Sequence, residues 1–298
     1  MAVIVKRNVK GREYYYLEHT IRKKGKHIQK SRYLGKTIPK NIAEIKKRFL
    51  FELNKEEWFD DFERIRQNYI AESKSIPESA KEKAIHEFSV RFTYNTQRIE
   101  GSTLSLRETA ELLERSISPG GRPIEDIKEA EAHHRVFLGL LKYKGDLSQR
   151  LVQEWHADMF RETKPDVAGQ IRRFGVRITG SKYVPPSPVE LQPMLDEFFR
   201  WYKGARARTD PVELAGLVHL KFVTIHPFAD GNGRIGRLMM NFVLNKHRYP
   251  MLNIEYKRRA TYYTALERSQ INRNDRIFLT WFFRRYRREY ESLLQSHD

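Results

Sequence analysis

The sequence predicts a mainly α-helical protein with a small, basic, β-rich module at its N-terminus. Apolar residues recur at helical spacing from about residue 41 onward, whereas residues 2 to 36 alternate or run with strand-forming residues. A chain of 298 residues with 40% hydrophobic composition can bury one large core and a small appendage. We therefore expect two domains, residues 1–50 and residues 51–298.

Composition excludes several classes of protein. The chain contains no cysteine, so disulfide bonds, thiolate metal sites and cysteine nucleophiles are ruled out. Its apolar runs are too short to span a membrane, and the first stretch, MAVIVKRNVK, is too basic for a signal peptide. These features predict a soluble, cytoplasmic protein without a membrane partner.

Positive charge is concentrated in the N-terminal module. Residues 1–50 contain 15 lysines and arginines against 3 acidic residues, a net charge of +12 out of +18 for the whole chain. Such an excess is typical of a surface that faces a polyanion. Nucleic acid is therefore a candidate partner of residues 1–50.

Tyrosines accompany this charge. The stretch RKKGKHI predicts a hairpin tip with Gly25 at the turn. The rings could lie between basic side chains, as in nucleic-acid binders, or could pack the core of the module, and the sequence leaves both readings open. The tyrosines concerned are Tyr14, Tyr15, Tyr16 and Tyr33.

The helical part of the chain carries clear start and stop signals. PESAKEKAIHEFSVRFTYNTQRIEG predicts a helix over about residues 78–100 that Gly101 ends. Ser105 and Glu108 form a capping box for the next helix. The last stretch, FLTWFFRRYRREYESLL, predicts a closing amphipathic helix that packs on the core or on a second copy of the chain, so a homodimer is a candidate assembly.

One segment interrupts the helical pattern. RRFGVRITGSKYVPPSP has strand character on both sides of a Thr-Gly-Ser turn, and two prolines end it. We predict a two-stranded hairpin that lies over another part of the fold, because two strands alone are marginally stable. The predicted hairpin contains Val176 and Ile178 before the turn, and Thr179 and Gly180 at the turn.

The stretch TIHPFADGNGRIGR predicts a helix, a glycine loop and a second helix. Asp210 and Pro211 supply an N-cap and a first-turn proline, and the proline after His226 ends the first helix. Gly231 and Gly233 allow positive φ, so the loop can bring its backbone close to a ligand.

The side chains of this stretch fit a bound polyphosphate. Backbone N–H groups at the start of a helix bind anions. Arg234 and Arg237 share a face at that helix start, where arginine opposes the helix dipole unless an anion is bound. Asp230 is an oxygen ligand of the kind that Mg²⁺ uses beside phosphates, and His226 can take a proton near neutral pH. Singly, each residue has an ordinary structural explanation; their conjunction predicts attack on a nucleoside triphosphate.

The same stretch carries a family resemblance. HPFADGNGR followed by IGR resembles the signature of the Fic (filamentation induced by cyclic AMP) family, H-x-F-x-D/E-G-N-G-R-x-x-R, without departure. The resemblance covers about residues 85 to 285 and leaves the first 50 uncovered. It implies a helical core and the transfer of AMP from ATP to a serine, threonine or tyrosine hydroxyl of a target protein. The predicted hairpin resembles the family's flap, which receives the target segment by strand addition.

Motif position implies a role for each residue of the signature. His226 is the implied base that deprotonates the target hydroxyl, and Phe228 is the implied anchor of the loop in the core. Asp230 is the implied ligand of Mg²⁺, the cofactor that accompanies ATP. The implied phosphate-binding residues are Gly231, Asn232, Gly233, Arg234 and Arg237, the last toward the γ-phosphate.

Glu100 ends the predicted helix of residues 78–100, where a carboxylate faces the negative pole of the helix dipole. An exposed, screened glutamate is the ordinary explanation. Thr96 to Gly101, however, resembles the Fic inhibitory motif, S/T-x-x-x-E-G/N. The resemblance implies that Thr96 and Glu100 share a helix face, that Glu100 pairs with Arg237, and that the enzyme is autoinhibited.

Other functions stay open. The resemblance also implies removal of AMP from a modified protein by the same site, with Glu100 orienting water, as an alternative reaction, and self-modification is a further candidate. Phosphate transfer is disfavoured because Gly233 stands where that branch of the family carries lysine, and choline-phosphate transfer is disfavoured by the plain signature. Tyr262 or Tyr263 either touches adenine or packs in the core. A function of another class is a nucleic-acid-binding regulator that acts through residues 1–50.

Overall fold

A computed structural model describes residues 2–23 and 26–295, which are mainly helical with one small antiparallel sheet, as predicted. No helix in these ranges combines the length and the apolar character needed to cross a bilayer. The chain divides into two compact units, residues 1–63 and residues 64–298. The strands are β1 Val3–Val9, β2 Arg12–Lys23 and β3 Lys26–Gly35. The helices are α1 Ile42–Ser75, α2 Glu78–Ile99, α3 Leu106–Arg115, α4 Ile124–Lys142, α5 Gln149–Phe160, α6 Pro188–Ala205, α7 Pro211–Ile225, α8 Asn232–Lys246, α9 Arg259–Ile271, α10 Asp275–Glu289 and α11 Glu291–Gln295, with a 3-10 turn at Tyr256–Arg258.

The first unit is a three-stranded sheet with order β1-β2-β3, followed by the start of α1. Lys10 and Gly11 join β1 to β2 with positive φ at both positions (50° and 78°), as a two-residue hairpin turn requires. The predicted turn at Gly25 lies outside the described residues. Helix α1 is continuous through residue 50, where the sequence analysis divides the chain.

The core of this unit is aliphatic and phenylalanine-based. Leu17 of β2 packs with Ala2 and with Phe49 and Leu53 of α1. The tyrosines are not part of this cluster of buried residues, and Tyr33 is 54% exposed. These tyrosines are therefore not the module's only core, as one interpretation of the sequence has it: Tyr33 is exposed, and Tyr14, Tyr15 and Tyr16 are half-buried.

Helices α7 and α8 are the most buried elements of the second unit. Gly236 allows α8 to approach α7 closely, since a Cβ at this position would lie 2.8 Å from Val223 Cγ1. The predicted helix ends are confirmed: Asp210 accepts from the Val212 backbone N–H at 2.9 Å, and His226 ends α7 in the left-handed conformation with φ 53°.

Helix α2 also ends as predicted. Its last residue is Ile99, and Gly101 follows with φ 106°, a conformation that glycine adopts without strain. Ser105 and Glu108 form the predicted capping box of α3. Residues 96, 97 and 99 near the C-terminal end of α2 are buried, so this end of the helix is packed against the rest of the unit.

The predicted two-stranded hairpin is not formed. Its turn is present, because the Ser181 N–H donates to Ile178 O at 3.1 Å and Gly180 has φ 76°. The residues on either side, among them Val176, belong to no strand. Thr179 is exposed at the turn.

Side chains satisfy backbone groups of this segment that a strand partner would otherwise have bound. The Lys182 N–H donates to the Glu267 carboxylate of α9, and Arg172 donates to Phe174 O at 2.9 Å and to Pro186 O at 2.6 Å. Ser181 Oγ also donates to Glu267 Oε1 at 3.1 Å, and Tyr183 OH donates to Thr224 O of α7 at 2.9 Å. The segment is thus held on the helices by side chains and needs no second strand.

Candidate active site

One asparagine braces the loop between α7 and α8. Asn232 Nδ2 donates to Phe228 O at 2.9 Å, and the Phe228 N–H donates to Asn232 Oδ1 at 2.9 Å. Phe228 is fully buried and Asn232 is 2% exposed, so the predicted anchoring of Phe228 in the core is present. Because the Asn232 side chain is used within the loop, any anion here would meet the backbone N–H groups of the first turn of α8.

The two glycines of the loop serve different needs. Gly231 has φ 77°, as predicted. Gly233 does not use the positive φ that glycine allows, because it lies inside the first turn of α8. A Cβ on Gly233 would clash with Glu100 Oε1 and lie 3.1 Å from Arg237 Nη1. Gly233 therefore leaves room for an acidic group in front of Arg237, and Glu100 fills that room.

His226 is oriented to act as a base. Its Nδ1 lies 3.4 Å from Val223 O, and a proton on Nδ1 leaves the lone pair of Nε2 available. Burial lowers the pKa of His226 below its ordinary value. The imidazole is therefore neutral near neutral pH and can accept a proton.

Arg172 fixes the backbone around His226. Its Nε donates to His226 O at 2.9 Å, and its backbone N–H donates to Pro227 O at 3.0 Å. Its other nitrogens donate to Phe174 O at 2.9 Å and Pro186 O at 2.6 Å. The buried Arg172 side chain thus ties the loop between α7 and α8 to the segment of residues 171–186. The sequence does not single out Arg172, since one arginine of an Arg-Arg pair carries no signal of burial.

The Asp230 carboxylate lies among cations. Its Oδ2 is 2.8 Å from Lys164 Nζ, and its Oδ1 is 3.0 Å from Arg234 Nη2 and accepts from the Gly231 N–H at 2.5 Å. Burial raises the pKa of Asp230, but Arg234 and Lys164 together lower it by more than burial raises it. The net pKa is therefore well below its ordinary value. Asp230 is therefore ionised and able to coordinate a cation.

The surroundings of Asp230 fit a metal ion whose ligands are mainly substrate phosphates and water rather than protein side chains. Among residues 2–23 and 26–295, no three His, Asp or Glu side chains are grouped as a metal site. Mg²⁺ at phosphate-binding sites typically uses one or two carboxylates, with substrate phosphates and water completing its shell. The Asp230 side chain, 43% exposed, fits that pattern of binding.

A second carboxylate, Glu129 of α4, pairs with the same two cations as Asp230 does, namely Lys164 and Arg234. It pairs with Arg234, lies 2.8 Å from Lys164 Nζ and accepts from Thr163 Oγ1 at 3.0 Å. Glu129 is only 7% exposed. The sequence does not single out Glu129 or Lys164, because both contact their partners only after the helices have packed together.

Both arginines of the signature are buried, and both contact α2. Arg234 Nη1 donates to Gln97 Oε1 at 3.2 Å. Arg237 Nη2 donates to Glu100 Oε1 at 2.6 Å, and Arg237 Nε donates to Thr96 Oγ1 at 3.3 Å. The predicted pairing of Glu100 with Arg237, and the shared helix face of Thr96 and Glu100, are thus present.

Tyr262 holds the opposite side of the Arg237 guanidinium. Its OH accepts from Arg237 Nη1 at 3.3 Å and lies 2.9 Å from His219 Nε2. Tyr262 is 1% exposed, which favours the core role over contact with a nucleotide. Tyr263, 43% exposed, donates to Ile99 O at 3.0 Å at the end of α2.

The charge of Arg237 is stabilised by the residues around it. Burial lowers the pKa of Arg237, but Glu100 raises it more, so the net pKa is above its ordinary value. A fixed buried cation, a loop of helix N–H groups, an ionised carboxylate and a neutral histidine therefore surround one site. This arrangement can bind a polyphosphate and remove a proton from an attacking group.

Comparison with known proteins gives the family of this site. Residues 146–244 match the model of the Fic/DOC family. The protein named protein adenylyltransferase Fic from Aedes aegypti is 33% identical over 212 residues, which are 69% of this chain and 42% of that protein. Its namesake from Drosophila melanogaster is 34% identical over 185 residues, 58% of this chain and 36% of that protein. The chain thus spans about two fifths of the length of these curated relatives.

Solved structures share the fold. A Fic domain containing signaling protein from Bacteroides thetaiotaomicron aligns with a TM-score of 0.71 at 22% identity, covering 79% of this chain and 96% of that one. A Fic-1 fragment from C. elegans aligns with a TM-score of 0.73 at 24% identity, covering 86% of this chain and 77% of that one. From the signature and the family match together, residues 146–244 of this chain form a domain of the Fic/DOC family.

Proposed function

We propose that the chain is a protein adenylyltransferase that transfers AMP from ATP to a hydroxyl side chain of a target protein and is restrained by its own α2. The observation that carries this proposal is the neutral, oriented His226 beside the Asp230 and Arg237 charges. The names of the curated relatives support the same activity.

The proposed reaction needs one base and one electrophile. The target hydroxyl oxygen attacks the α-phosphorus of ATP while His226 Nε2 takes the hydroxyl proton. The bond from the α-phosphorus to the bridging oxygen breaks, and pyrophosphate leaves with that electron pair. The products are a protein–AMP phosphodiester and pyrophosphate, and the proton passes from His226 to solvent.

The remaining residues bind and orient the nucleotide. The N–H groups of the first turn of α8 and the Arg234 and Arg237 guanidinium groups would hold the triphosphate. Asp230 would hold Mg²⁺, which neutralises phosphate charge when bound. Arg172 keeps His226 in place through the hydrogen bond to its carbonyl.

The restraint follows from competition for Arg237. Glu100 Oε1 lies 2.6 Å from Arg237 Nη2, so a phosphate oxygen that approaches this nitrogen meets a carboxylate of like charge. Productive binding at Arg237 therefore requires the Glu100 carboxylate to move away from the guanidinium group. Thr96 and Gln97 of α2 also bond the signature arginines.

The segment of residues 171–186 offers a place for the target. Val176 and Ile178 are half-buried and lie outside any sheet. A target segment could add here as a strand, with backbone hydrogen bonds that do not depend on its side chains. Such a mode would bring one hydroxyl of the segment to His226.

Removal of AMP from a modified protein is a second candidate for the same site. The Glu100 side chain is 25% exposed, which leaves this carboxylate in contact with solvent, where it could orient a water molecule. Self-modification needs only that a hydroxyl of this chain takes the place of the target.

One labelling experiment tests the proposal. The wild-type chain, Glu100→Gly and Glu100→Gly with His226→Ala are incubated with Mg²⁺, a cell lysate and ATP labelled on either the α- or the γ-phosphate. We expect the α-label, and not the γ-label, on proteins in the Glu100→Gly sample, and no label with the double variant. Transfer of the γ-label, or equal α-labelling with and without His226, would contradict the proposal. Release of AMP from pre-labelled protein by the wild-type chain would identify the removal reaction.

A further inference from the structure

One face of the N-terminal sheet is left open by α1. Leu17 points to the face that packs on α1, and side chains alternate along a strand, so Tyr14 and Tyr16 point to the opposite face. Register places Tyr33 of β3 beside Tyr16 and Arg7 of β1 beside Tyr14. Arg7, Arg12, Tyr14, Tyr16 and Tyr33 lie on this side of the sheet, which we call the open face.

The tyrosines of the open face form a cluster with one accessible ring. The Tyr33 ring lies 6.0 Å from the Tyr14 ring and 5.4 Å from the Tyr16 ring, between centroids. Arg7 Cζ lies 5.0 Å from the centroid of Tyr16. Because Tyr14 and Tyr16 are half-buried and Tyr33 is 54% exposed, the cluster holds Tyr33 in position with its ring in solvent.

The acidic side chains of the sheet are already neutralised. Glu13 lies 2.5 Å from Lys6 Nζ. Glu18, 5% exposed, is bound by Arg7 and by Gln29. Both glutamates in the described residues of the strands are therefore paired, and neither is a free carboxylate that would repel a polyanion. The net charge of residues 1–50 is +12.

Basic side chains border the tyrosine cluster. Lys10 and Arg12 are exposed and belong to, or directly follow, the β1–β2 turn. Arg12 pairs in register with Val9. Arg12 precedes Tyr14 by two positions in β2, so both side chains lie on the same face. An accessible aromatic ring next to exposed cations is the combination by which proteins hold a nucleotide chain, with bases on rings and phosphates on cations.

We propose that the open face binds single-stranded nucleic acid, with Tyr33 stacking on a base and Lys10 and Arg12 contacting the flanking phosphates. Single strands fit better than a duplex because only an unstacked base offers its face to a tyrosine ring. This binding is separate from the proposed transferase activity and needs neither His226 nor Glu100.

Fluorescence anisotropy with the full-length chain tests the proposal. The probes are a labelled oligothymidylate of about 30 nucleotides and a mixed-sequence duplex of the same length, over salt concentrations from about 50 to 200 mM. Tyr33→Ala should weaken single-strand binding by about 5- to 100-fold and leave duplex binding unchanged. Tyr33→Phe keeps the ring and should bind the single strand as the wild-type chain does.

Charge variants test the phosphate contacts. Lys10→Asn with Arg12→Gln should weaken binding to both probes and reduce the slope of log affinity against log salt by about 1 to 2. Asparagine is chosen for position 10 because it tolerates the positive φ found there. Lys142→Gln with Lys144→Gln, two exposed lysines of the second unit, removes the same charge and should change neither quantity.

Several outcomes would overturn the proposal. One is that Tyr33→Ala binds the single strand as tightly as the wild-type chain does, with an unchanged circular dichroism spectrum. Another is that the wild-type chain binds the duplex more tightly than the single strand. A third is that the Lys142→Gln, Lys144→Gln control loses as much affinity as the Lys10→Asn, Arg12→Gln variant. Binding to phosphatidylserine vesicles in preference to the oligonucleotide at equal phosphate would assign the open face to a lipid surface instead.

Discussion

Glu100 Oε1 lies 2.6 Å from Arg237 Nη2, and this ion pair joins the C-terminal end of α2 to α8. The Arg237 side chain is fully buried, whereas the Glu100 side chain is 25% exposed. Removing one partner of a buried ion pair leaves an uncompensated charge, which costs more than the pair itself contributes. The buried cation of α8 therefore needs an anion beside it, supplied either by α2 or by a ligand.

The first prediction concerns that exchange of anions. Glu100→Gln should lower the free energy of unfolding by about 1 to 3 kcal/mol, less than for a fully buried pair because Glu100 is partly exposed. MgATP should then raise the melting temperature of Glu100→Gln more than that of the wild-type chain, since the triphosphate replaces the lost carboxylate. Thermal melting with and without MgATP measures both effects.

Glu87→Gln is the matched control. Glu87 lies on the same helix, but its 3.7 Å pair with Arg91 is exposed, so we expect no change in stability or in the response to MgATP. If MgATP stabilises Glu100→Gln and the wild-type chain equally, Glu100 and the nucleotide do not compete.

The second prediction concerns the room in front of Arg237. In the Glu100→Gly background, Gly233→Ala should weaken ATP binding by about 5- to 150-fold, because the added methyl group lies where a phosphate oxygen would replace Glu100 Oε1. Calorimetry measures the affinity. Gly204→Ala is the control, since Gly204 is also helical but a Cβ there meets no atom within 4 Å. Unchanged affinity in Gly233→Ala would mean that phosphate does not approach this turn.

Local signals in the sequence predicted the parts of the site that depend on near neighbours. The Asp210 cap, the end of α7 at His226 and the positive φ of Gly231 each follow from a few adjacent residues, and each is present. The Glu100–Arg237 contact spans 137 positions and was reached only through the family resemblance, because helix physics by itself gave an ordinary exposed glutamate.

Other parts of the site depend on how helices pack. Glu129 and Arg172 meet their partners only after α4, α5 and the loop are assembled, and nothing in the nearby sequence marks them as buried. The hairpin prediction failed for a related reason: alternation of residues indicates extended chain, but it does not show whether a second strand or a set of side chains satisfies the backbone.

The third prediction concerns the support of Arg237 by Tyr262. Tyr262→Phe removes the hydroxyl that accepts from Arg237 Nη1 and bonds His219 Nε2. Both buried nitrogens then lose this hydrogen bond. We expect a loss of about 1 to 3 kcal/mol in the free energy of unfolding, measured by denaturant titration. Tyr263→Phe is the control, because Tyr263 is 43% exposed and its partner is a helix-end carbonyl that water can reach. Equal losses in the two variants would show that Tyr262 has no special role at Arg237.

The fourth prediction concerns the competition between Lys164 and a metal ion for Asp230. Lys164 Nζ lies 2.8 Å from Asp230 Oδ2, so a cation that binds this oxygen must displace the ammonium group. In the Glu100→Gly background, Lys164→Met should lower the Mg²⁺ concentration that gives half-maximal labelling by about 3- to 10-fold. Lys128→Met, which removes a surface pair with Glu162, is the control and should leave the Mg²⁺ requirement unchanged. A higher Mg²⁺ requirement in Lys164→Met would mean that Lys164 assists the ion.

The fifth prediction concerns the pH dependence of the proposed base. Burial lowers the pKa of His226 below its ordinary value of 6.5, and only the neutral imidazole can accept the proton of the target hydroxyl. Activity is therefore full above the lowered pKa and is lost as the pH falls through it. We expect kcat/KM for labelling by the Glu100→Gly variant, measured as a function of pH, to fall on the acidic side with a midpoint below pH 6.5.

Stability has to be followed over the same range, because other histidines titrate there on unfolding. Burial lowers the pKa of His156 to about 4 and that of His134 to about 4. The unfolded chain thus binds more protons between pH 4 and 6.5, so the free energy of unfolding falls as the pH falls through this window. Circular dichroism at each pH separates this loss of fold from titration of the base. An acidic limb at or above pH 6.5 in a fully folded sample would rule out the buried, neutral His226 as the group that takes the proton.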